Sequence, residues 1–286
     1  MIVDLSGMQR ILESSADLAY VVVEPGVTQA QLSEYLISQN LPLWMDSTGA
    51  GPDTSLVGNI MERGFGHSPY GNRFQSVSGM RIVLANGDVL NTGFGHFPTA
   101  VNQRVFPYGV GPLLDGLFTQ SNLGIVTSLG LWLMPKTPAI NHFLCMVPEH
   151  EDIGPVVDAL RPLRLGGVLR SILHIGNDLR VISGGMTFPH QLAPGVSRLP
   201  DSCACNCGRP SASAHGPCQV ALYGAGPQLA YARSAVRAAL ARTRARVQFL
   251  DERKLAGARR RPACSVTLRR DASCAPRSRL AVRCSR

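Results

Sequence analysis

The strongest hydrophobic pattern of this chain lies near its start. Ala19–Val23 (AYVVV) is rich in β-branched residues, which is typical of a buried strand. A helix is predicted over 28–38, because Thr28 is a favourable N-cap and apolar residues follow it at helical spacing. The residues on its apolar face are Leu32, Tyr35 and Leu36. The two preceding segments, Ile2–Leu5 and Met8–Ala16, are predicted to be a short buried strand and a helical or turn segment.

The next apolar segments predict a hairpin, a helix and a long strand. Met80–Ala85 and Asp88–Asn91 flank Asn86-Gly87, a dipeptide that favours a tight hairpin turn in which both residues have positive φ. Gly111–Gln120 is predicted to be helical, because its apolar residues recur at near-helical spacing, and Gly124–Leu133 is predicted to be a strand.

A domain boundary is predicted near residue 137, where prolines interrupt the pattern. Beyond it, Asp152–Leu163 is predicted to be a helix, and Val168–Ile175 and Leu179–Ser183 a pair of strands. Mixed helices and strands of this kind are typical of an α+β fold. We therefore expect one domain over 1–137 and the start of a second over 138–186.

The composition changes after residue 186. Residues 1–186 carry 10 Lys+Arg and 15 Asp+Glu, a net charge of −5, whereas residues 187–286 carry 18 and 4, a net charge of +14. Seven of the eight cysteines also lie in the second part. Only Val220–Tyr223 and Pro227–Ala245 have strand and helix character there. We expect 187–286 to be an irregular, basic, Cys- and Arg-rich region with one regular segment at 220–255.

Two explanations of this basic region are open. Arg, Ala, Pro, Cys and Ser are what GC-rich DNA encodes when it is read out of frame, so one hypothesis is that 187–218 and 256–286 are frameshifted. A disordered basic tail is the other. Nucleic-acid binding is not expected, because Lys254 is the only lysine after Lys136 and no aromatic residue follows Phe249 for base stacking.

Neither a metal site nor a membrane location is expected. Cys203, Cys205 and Cys207 lack the Cys-x₂₋₄-Cys spacing of structural zinc sites, and no His pair follows them. A disulfide framework is not expected without evidence of export. No apolar run has the roughly 18–20 residues that a membrane span needs, and the start does not have the pattern of a signal peptide. These features predict a cytoplasmic protein.

Ser47–Gly71 contains six glycines and two prolines in 25 residues. This density disfavours a regular helix or strand, because glycine loses backbone entropy on folding and proline lacks a donor. Such a segment can bring main-chain N–H groups close to an anionic ligand. We interpret it as wrapping a flavin dinucleotide, and a connector with turn glycines is the alternative.

Three stretches resemble the flavoprotein family of 4-cresol dehydrogenase and vanillyl-alcohol oxidase, over roughly 1–186 with a weaker likeness at 220–255. They are Leu18–Leu36, Asp53–Phe74 with the hairpin that follows it, and Tyr108–Lys136. The resemblance implies a partial p-cresol methylhydroxylase-type FAD-binding domain of α+β class, followed by the start of an α+β substrate domain. It also implies FAD as cofactor and the oxidation of para-substituted phenols, such as 4-cresol, vanillyl alcohol or eugenol, by hydride transfer to the flavin.

The resemblance further implies a small phenolic substrate and an electron acceptor, either oxygen or cytochrome c. A homo-oligomer is an additional expectation, whereas a nucleic-acid or membrane partner is not. Two alternatives are open: an FAD-dependent 2-hydroxy-acid dehydrogenase, and an inactive truncated product.

The resemblance assigns flavin contacts to two groups of residues. The loop group is Thr54, Ser55, Gly58, Asn59, Gly64 and Gly66, and the strand group is Gly124, Ile125, Val126 and Thr127. His67 aligns with a family tyrosine that contacts the phenol, and it is our candidate catalytic residue; a role in capping a turn is the alternative. Ala50 stands where related oxidases have an Asp near flavin N5. The resemblance implies that the family's pyrophosphate-binding loop belongs upstream of Ile2, so we do not expect that loop in the given sequence.

Several single residues carry structural expectations. Asp115 is expected to face solvent, and Glu62-Arg63 to form a local ion pair that steadies the glycine-rich segment. Trp44 and Trp132 are expected in the core, and Tyr108 is expected to be a packed residue with a hydrogen-bonded hydroxyl.

Overall fold

The computed structural model describes residues 3–176 and 217–251, together with residues 190 and 195. The elements of the first part are β1 (Ile11–Ser15), β2 (Tyr20–Val23), α1 (Gln29–Ser38), β3 (Leu43–Trp44), α2 (Leu56–Met61), β4 (Val77–Leu84), β5 (Val89–Asn91), β6 (Gly124–Trp132) and β7 (Met134–Pro135). Those of the second part are β8 (Ala139–Met146), α3 (Ile153–Leu165), β9 (His174–Ile175), β10 (Pro217–Gly224), α4 (Gly226–Leu240) and β11 (Arg246–Asp251). These elements confirm the predicted α+β class.

The first sheet has five strands in the order β1-β2-β6-β4-β5, and every neighbouring pair is antiparallel. β2 confirms the predicted strand; it lies between β1 and β6, and all four of its residues are buried. Val21 of β2 and Leu129 of β6 share a hydrophobic core with Leu32 and Leu56 from the two helices. This core places the middle of the glycine-rich segment, at α2, against the sheet.

Helix α1 begins at the predicted N-cap. The Thr28 side chain accepts a hydrogen bond from Gln31 N, and Gln31 Oε1 accepts one from Thr28 N, at 3.2 and 2.9 Å. This reciprocal pair is a capping box. Leu32 and Leu36 are buried, and Tyr35 packs partly buried against the same core, so the predicted apolar face is confirmed.

The predictions for the residues before β2 are wrong. Residues 3–5 have no regular structure, and the side chain of Val3 is 49% exposed. Met8–Ala16 contains strand β1, because Ile11–Ser15 pairs with β2. Pairing with a neighbouring strand decides this segment, and a local pattern cannot show that partner.

The hairpin between β4 and β5 is confirmed, but its turn differs from the predicted one. Gly87 has a φ of +89°, whereas Asn86 is not among the described residues with positive φ. Gly87 N donates to Leu84 O and Leu84 N donates to Asp88 O, both at 2.9 Å. This is the pattern of a longer hairpin loop, in which the last turn residue alone is left-handed.

The predicted helix over Gly111–Gln120 is reduced to one 3₁₀ turn at Asp115–Phe118. Gly111 has a φ of +92°, which no helix can include. Leu113 and Leu117 are exposed while Phe118 is buried, so the apolar residues do not form one face. The strand predicted to follow is confirmed as β6.

The second sheet has the order β11-β8-β10-β9, and its described pairs are antiparallel. Helices α3 and α4 pack on it, which confirms the helices predicted at Asp152–Leu163 and within Pro227–Ala245. Phe143 and Cys145 of β8 lie in a second core with Leu160 of α3 and Val236 of α4. Among the described residues, those that form this core all follow β7.

Other predictions for the second part have mixed outcomes. The strand at Val220–Tyr223 is confirmed as part of β10, whereas Val168–Ile175 contains only the two-residue strand β9. Leu179–Ser183, the cysteines at 203, 205 and 207, and nearly all of 187–218 and 256–286 lie outside the described residues. The domain boundaries therefore stay a prediction.

No helix in the described parts of the chain is long and apolar enough to cross a membrane.

Candidate functional site

A buried ion pair organises the glycine-rich segment. Arg73 is only 2% exposed and donates from Nε to Asp46 Oδ2 at 3.0 Å. Its two other nitrogens donate to Asn59 Oδ1 at 3.0 Å and to Gln29 Oε1 at 3.1 Å. The second Asp46 oxygen, Oδ1, accepts from Ser68 N at 2.9 Å. Because both buried charges have hydrogen-bond partners, their loss of hydration is largely compensated.

Gly64 and Gly66 pack directly against this network. A Cβ at Gly64 would overlap the Asn59 side chain, and a Cβ at Gly66 would overlap the Asp46 carboxylate. The protein's own packing is therefore a sufficient reason for glycine at both positions. Their contact with a cofactor stays a prediction.

The network also holds the loop of residues 47–51. Gln29 Oε1 accepts from Thr48 N at 2.8 Å, and Gln29 Nε2 donates to Gly51 O at 2.6 Å. Gly49 and Ala50 are exposed, and Gly51 has a φ of +108° with no atom within 4 Å of an added Cβ. The loop thus exposes main-chain atoms with little side-chain cover, and the hydrogen bonds of Gln29 hold it in place.

Thr54, Ser55 and Gly58 form the entry to α2, a helix that the glycine count disfavoured. Ser55 Oγ accepts from Gly58 N at 2.8 Å and donates to Pro25 O at 2.6 Å. Thr54 O accepts from Gln29 N at 3.0 Å. The expectation that this segment contains no regular helix is wrong, because this N-cap and burial of Leu56 stabilise a short one.

The strand group lies at the start of β6. Val126 is buried in the first core, Ile125 is 37% exposed, and Thr127 Oγ1 donates to Arg81 O at 3.1 Å. A Cβ at Gly124 would lie 2.5 Å from an Ile82 methyl group. Only alternate side chains of this group can therefore face a ligand, and the other members would contact it through their main chain.

The loop and strand groups lie on neighbouring elements. Gln120 N, just before β6, donates to Met61 O at the end of α2 at 2.8 Å. Arg63 Nε donates to Thr119 Oγ1 at 3.0 Å, in place of the ion pair predicted with Glu62. The chain thus brings the two predicted groups together, although their contacts with a cofactor are not tested by this arrangement.

His67 joins the glycine-rich segment to the second part of the chain. Its Nδ1 lies 2.7 Å from His174 Nε2, and its Nε2 lies 3.4 Å from the position of a Cβ on Gly49. The Phe65 and His174 rings stack with their centroids 6.1 Å apart. The His67 imidazole therefore borders the exposed glycine loop, with one nitrogen engaged by His174.

Sequence reasoning missed Gln29, Asp46, Arg73 and His174. Each is separated from its partners by many residues, so no local spacing marks it. The signal that could have found them is a polar residue within or next to an apolar segment. Tyr223 shows the same long-range relation: burial, and then the charge of Asp46, raise its pKa.

The expectations for four single residues are wrong. Asp115 is 2% exposed, and burial raises its pKa while a hydrogen bond from Thr92 opposes the rise. Its Oδ1 has no hydrogen-bond partner in the described part of the chain. Tyr108 is 53% exposed. Trp132 and Trp44 are both half-buried, and Trp132 Nε1 donates to Arg104 O at 2.7 Å.

The fold and this loop define a nucleotide-cofactor domain, and the comparisons with known proteins name its family. Residues 1–93 match the model of the FAD binding domain. Over 202 residues, or 71% of the chain, it is 41% identical to 1'-carboxy-chondrochloren decarboxylase of Chondromyces crocatus. Over the same length it is 39% identical to the flavoprotein subunit of 4-cresol dehydrogenase [hydroxylating] of Pseudomonas putida.

The structure is similar to that of p-cresol methylhydroxylase with substrate bound, with a TM-score of 0.80 and 34% sequence identity over 88% of this chain. The chain therefore has the p-cresol methylhydroxylase-type FAD-binding fold, and it is similar to FAD-linked oxidoreductases with that fold. It spans 37% and 39% of the two relatives and 49% of the solved chain. Mitochondrial D-lactate dehydrogenase [cytochrome] of Arabidopsis thaliana is a weaker match, 28% identical over 159 residues, 55% of this chain and 26% of that protein.

The residues at the exposed loop fit the cofactor that this family binds. Gly49, Ala50 and Gly51 carry no side chain larger than a methyl group and are anchored from below by Gln29. A planar ring can approach such a main chain closely and receive hydrogen bonds from its N–H groups.

Proposed function

We propose that this chain is the FAD-binding part of an oxidoreductase that oxidises para-substituted phenols. The observation that carries the proposal is 39% identity over 202 residues to a 4-cresol dehydrogenase flavoprotein subunit. The similarity to a substrate-bound p-cresol methylhydroxylase supports the same substrate class. The weaker similarity to D-lactate dehydrogenase makes a 2-hydroxy acid the less favoured substrate.

In this proposal, the main chain of Gly49–Gly51 lies along the cofactor, and the ion pair of Arg73 and Asp46 keeps that loop in place. The loop and strand groups, Thr54, Ser55, Gly58, Asn59, Gly64, Gly66, Gly124, Ile125, Val126 and Thr127, remain the proposed cofactor contacts. Bound FAD supplies the acceptor for a hydride from the benzylic carbon of the phenol. The side chains and main chain of this protein orient the cofactor and the phenol and supply the charges around them.

We assign His67 the role of accepting the phenolic proton. A phenol resembles tyrosine, with a pKa near 10, so it is almost entirely protonated at neutral pH. When Nδ1 carries the proton of the imidazole and donates to His174 Nε2, Nε2 is free to accept the substrate hydroxyl. Withdrawing that proton makes the ring a better hydride donor, and Nε2 is the nitrogen beside Gly49.

The cofactor proposal is tested by flavin content. The full chain is purified with added FAD, and its absorbance near 450 nm is measured after removal of free flavin. Ala50→Leu places a bulky side chain on the exposed loop and is expected to weaken FAD binding about tenfold or more, which corresponds to about 1.4 kcal/mol. Ala85→Leu, in the exposed β4–β5 turn, is the matched control and is expected to keep the flavin.

The substrate proposal is tested by anaerobic bleaching of the flavin. Bleaching is expected with 4-cresol, vanillyl alcohol or eugenol and not with D-lactate or glycolate. His67→Gln is expected to lower the rate by about 10²–10⁴, as loss of a general base does. His150→Gln, on an exposed turn, is the control. Bleaching by the hydroxy acids alone would replace the proposed substrate class, and a colourless chain would favour the inactive product.

Product and acceptor analysis completes the proposal. The first relative is named as a decarboxylase, so loss of CO₂ is the reaction to be distinguished from dehydrogenation. Mass spectrometry of the products separates the two. Reoxidation of the reduced protein by oxygen and by cytochrome c separates the two proposed acceptors. The cytoplasmic location and the homo-oligomer are tested by cell fractionation and by light scattering.

A further inference from the structure

A cavity of about 310 Å³ opens beside the second sheet, between α4 and the edge strand β11. It lies outside the glycine-rich segment, and the proposed function does not use it. Its lining residues are Asn141, Arg233, Arg237, Val247, Gln248, Phe249 and Asp251. The volume is within the range of small-molecule sites, which starts near 300 Å³.

Two arginines on one face of α4 supply most of the charge of this cavity. Arg233 and Arg237 are four residues apart, so their side chains leave the helix in the same direction. Like charges at this spacing destabilise a helix slightly. An anion bound between them would relieve that repulsion.

The position of each guanidinium leaves donors available. The centre of the Arg237 guanidinium lies 4.9 Å from the centroid of the Phe249 ring, so the ring fixes the flat face of the group. The N–H groups lie in the guanidinium plane and stay directed outward. Arg233 Nη1 reaches Asn141 Oδ1 only at 3.4 Å, at the long limit of a hydrogen bond.

The remaining walls limit the kind of anion. Val247 and the ring of Phe249 are apolar surfaces, and they are only partly buried. Asp251 lines the cavity with a carboxylate, which disfavours a ligand of high negative charge. Gln248 adds an amide that can both donate and accept. A ligand with one negative charge and an apolar body matches both the arginines and the apolar side chains of this cavity.

We propose that this cavity is a second ligand site that binds a small aromatic carboxylate. The carboxylate lies between the Arg233 and Arg237 guanidiniums, where planar donors match its two oxygens. The aromatic body lies against Val247 and the exposed part of Phe249. The site is independent of FAD and of the phenol.

The test titrates the full chain with benzoate as the probe, and isothermal titration calorimetry at low salt measures the binding. Saturable binding of one equivalent of benzoate is expected, and benzamide, its uncharged analogue, is expected not to bind. Arg233→Met keeps the apolar stem but removes the charge, and a loss of affinity of tenfold or more is expected. Arg242→Met removes an exposed charge just beyond the same helix and is the matched control, for which the affinity is expected to be unchanged.

In the benzoate titrations, three results would overturn the proposal. They are no saturable benzoate binding, equal binding of benzamide, and an equal loss of affinity in Arg233→Met and Arg242→Met. Inorganic phosphate is titrated in parallel; tighter binding of phosphate than of benzoate would also overturn it, since the apolar walls would then play no part. Circular dichroism of each variant confirms that the comparison is made on folded protein.

Discussion

At the scale of single residues, the Arg73 guanidinium and the Asp46 carboxylate support the glycine-rich segment. Their contacts extend to Gln29 and Asn59, so four side chains from different segments meet in one buried network. A buried charge without a partner is unfavourable by several kcal/mol, whereas a paired and hydrogen-bonded one is tolerated. The network therefore acts as a single unit.

We predict that Arg73→Met lowers the free energy of unfolding by about 3–5 kcal/mol, because it leaves Asp46 buried without its cation. Urea denaturation followed by circular dichroism measures the change. The matched control is Arg161→Met, which removes an exposed arginine paired with Asp158 and is expected to change stability by less than about 1 kcal/mol. Similar values for the two variants would contradict this account of the network.

At the scale of elements, strands β8 and β10 place Cys145 and Cys218 directly opposite each other. Both thiols are free and fully buried. Burial raises the pKa of Cys145 from its ordinary 9.0 to about 11, and burial with the neighbouring thiol raises that of Cys218 to about 12. The two thiols are therefore protonated packing groups in the folded chain.

We predict that these thiols make the protein less stable above pH 9. In the unfolded chain they ionise near 9, but in the folded chain only near 11 and 12. The stability that they contribute is thus complete below pH 9 and falls as the pH rises from 9 towards 12. Unfolding free energies from pH 8 to 11 measure this loss, and Cys145→Ala with Cys218→Ala is expected to reduce the slope. An unchanged slope in that double variant would contradict the assignment.

At the scale of the whole molecule, two hydrophobic cores lie on either side of residue 137. One is built on the five-stranded sheet with α1 and α2, and the other on the second sheet with α3 and α4. Between them, the His67–His174 hydrogen bond and the approach of Gly71 to Ile172 join the two parts. This arrangement supports the proposed boundary near 137, which has yet to be tested.

We predict that Leu160→Ala loosens the second part alone. Leu160 is 1% exposed, so the substitution leaves a cavity and is expected to lower stability by about 2–5 kcal/mol. Hydrogen exchange with peptide-level mass spectrometry is expected to rise within 139–176 and 217–251 and not within 11–135. Leu129→Ala in the first core is the reciprocal control. A rise spread evenly over both parts would contradict two domains.

The limits of prediction follow the range of the interactions. Thr28 with its helix, the β-branched strand β2 and the β4–β5 hairpin depend on neighbouring residues, and all three are present. Met8–Ala16 and Gly111–Gln120 depend on distant partners or on one left-handed glycine, and both differ from expectation. Asp115 is expected from the sequence to face solvent but is buried, because its burial also depends on distant parts of the chain.

By itself, the amino-acid sequence determined the α+β class, the family resemblance and the glycine-rich segment, because repeated local patterns and fixed motifs carry that information. Only the tertiary structure decided that Gly64 and Gly66 pack on Asn59 and Asp46. It alone placed His67 against His174, and it alone made a cavity between α4 and β11. These features need residues far apart in the chain to meet, and the free energy of burying and pairing them is a property of the folded molecule.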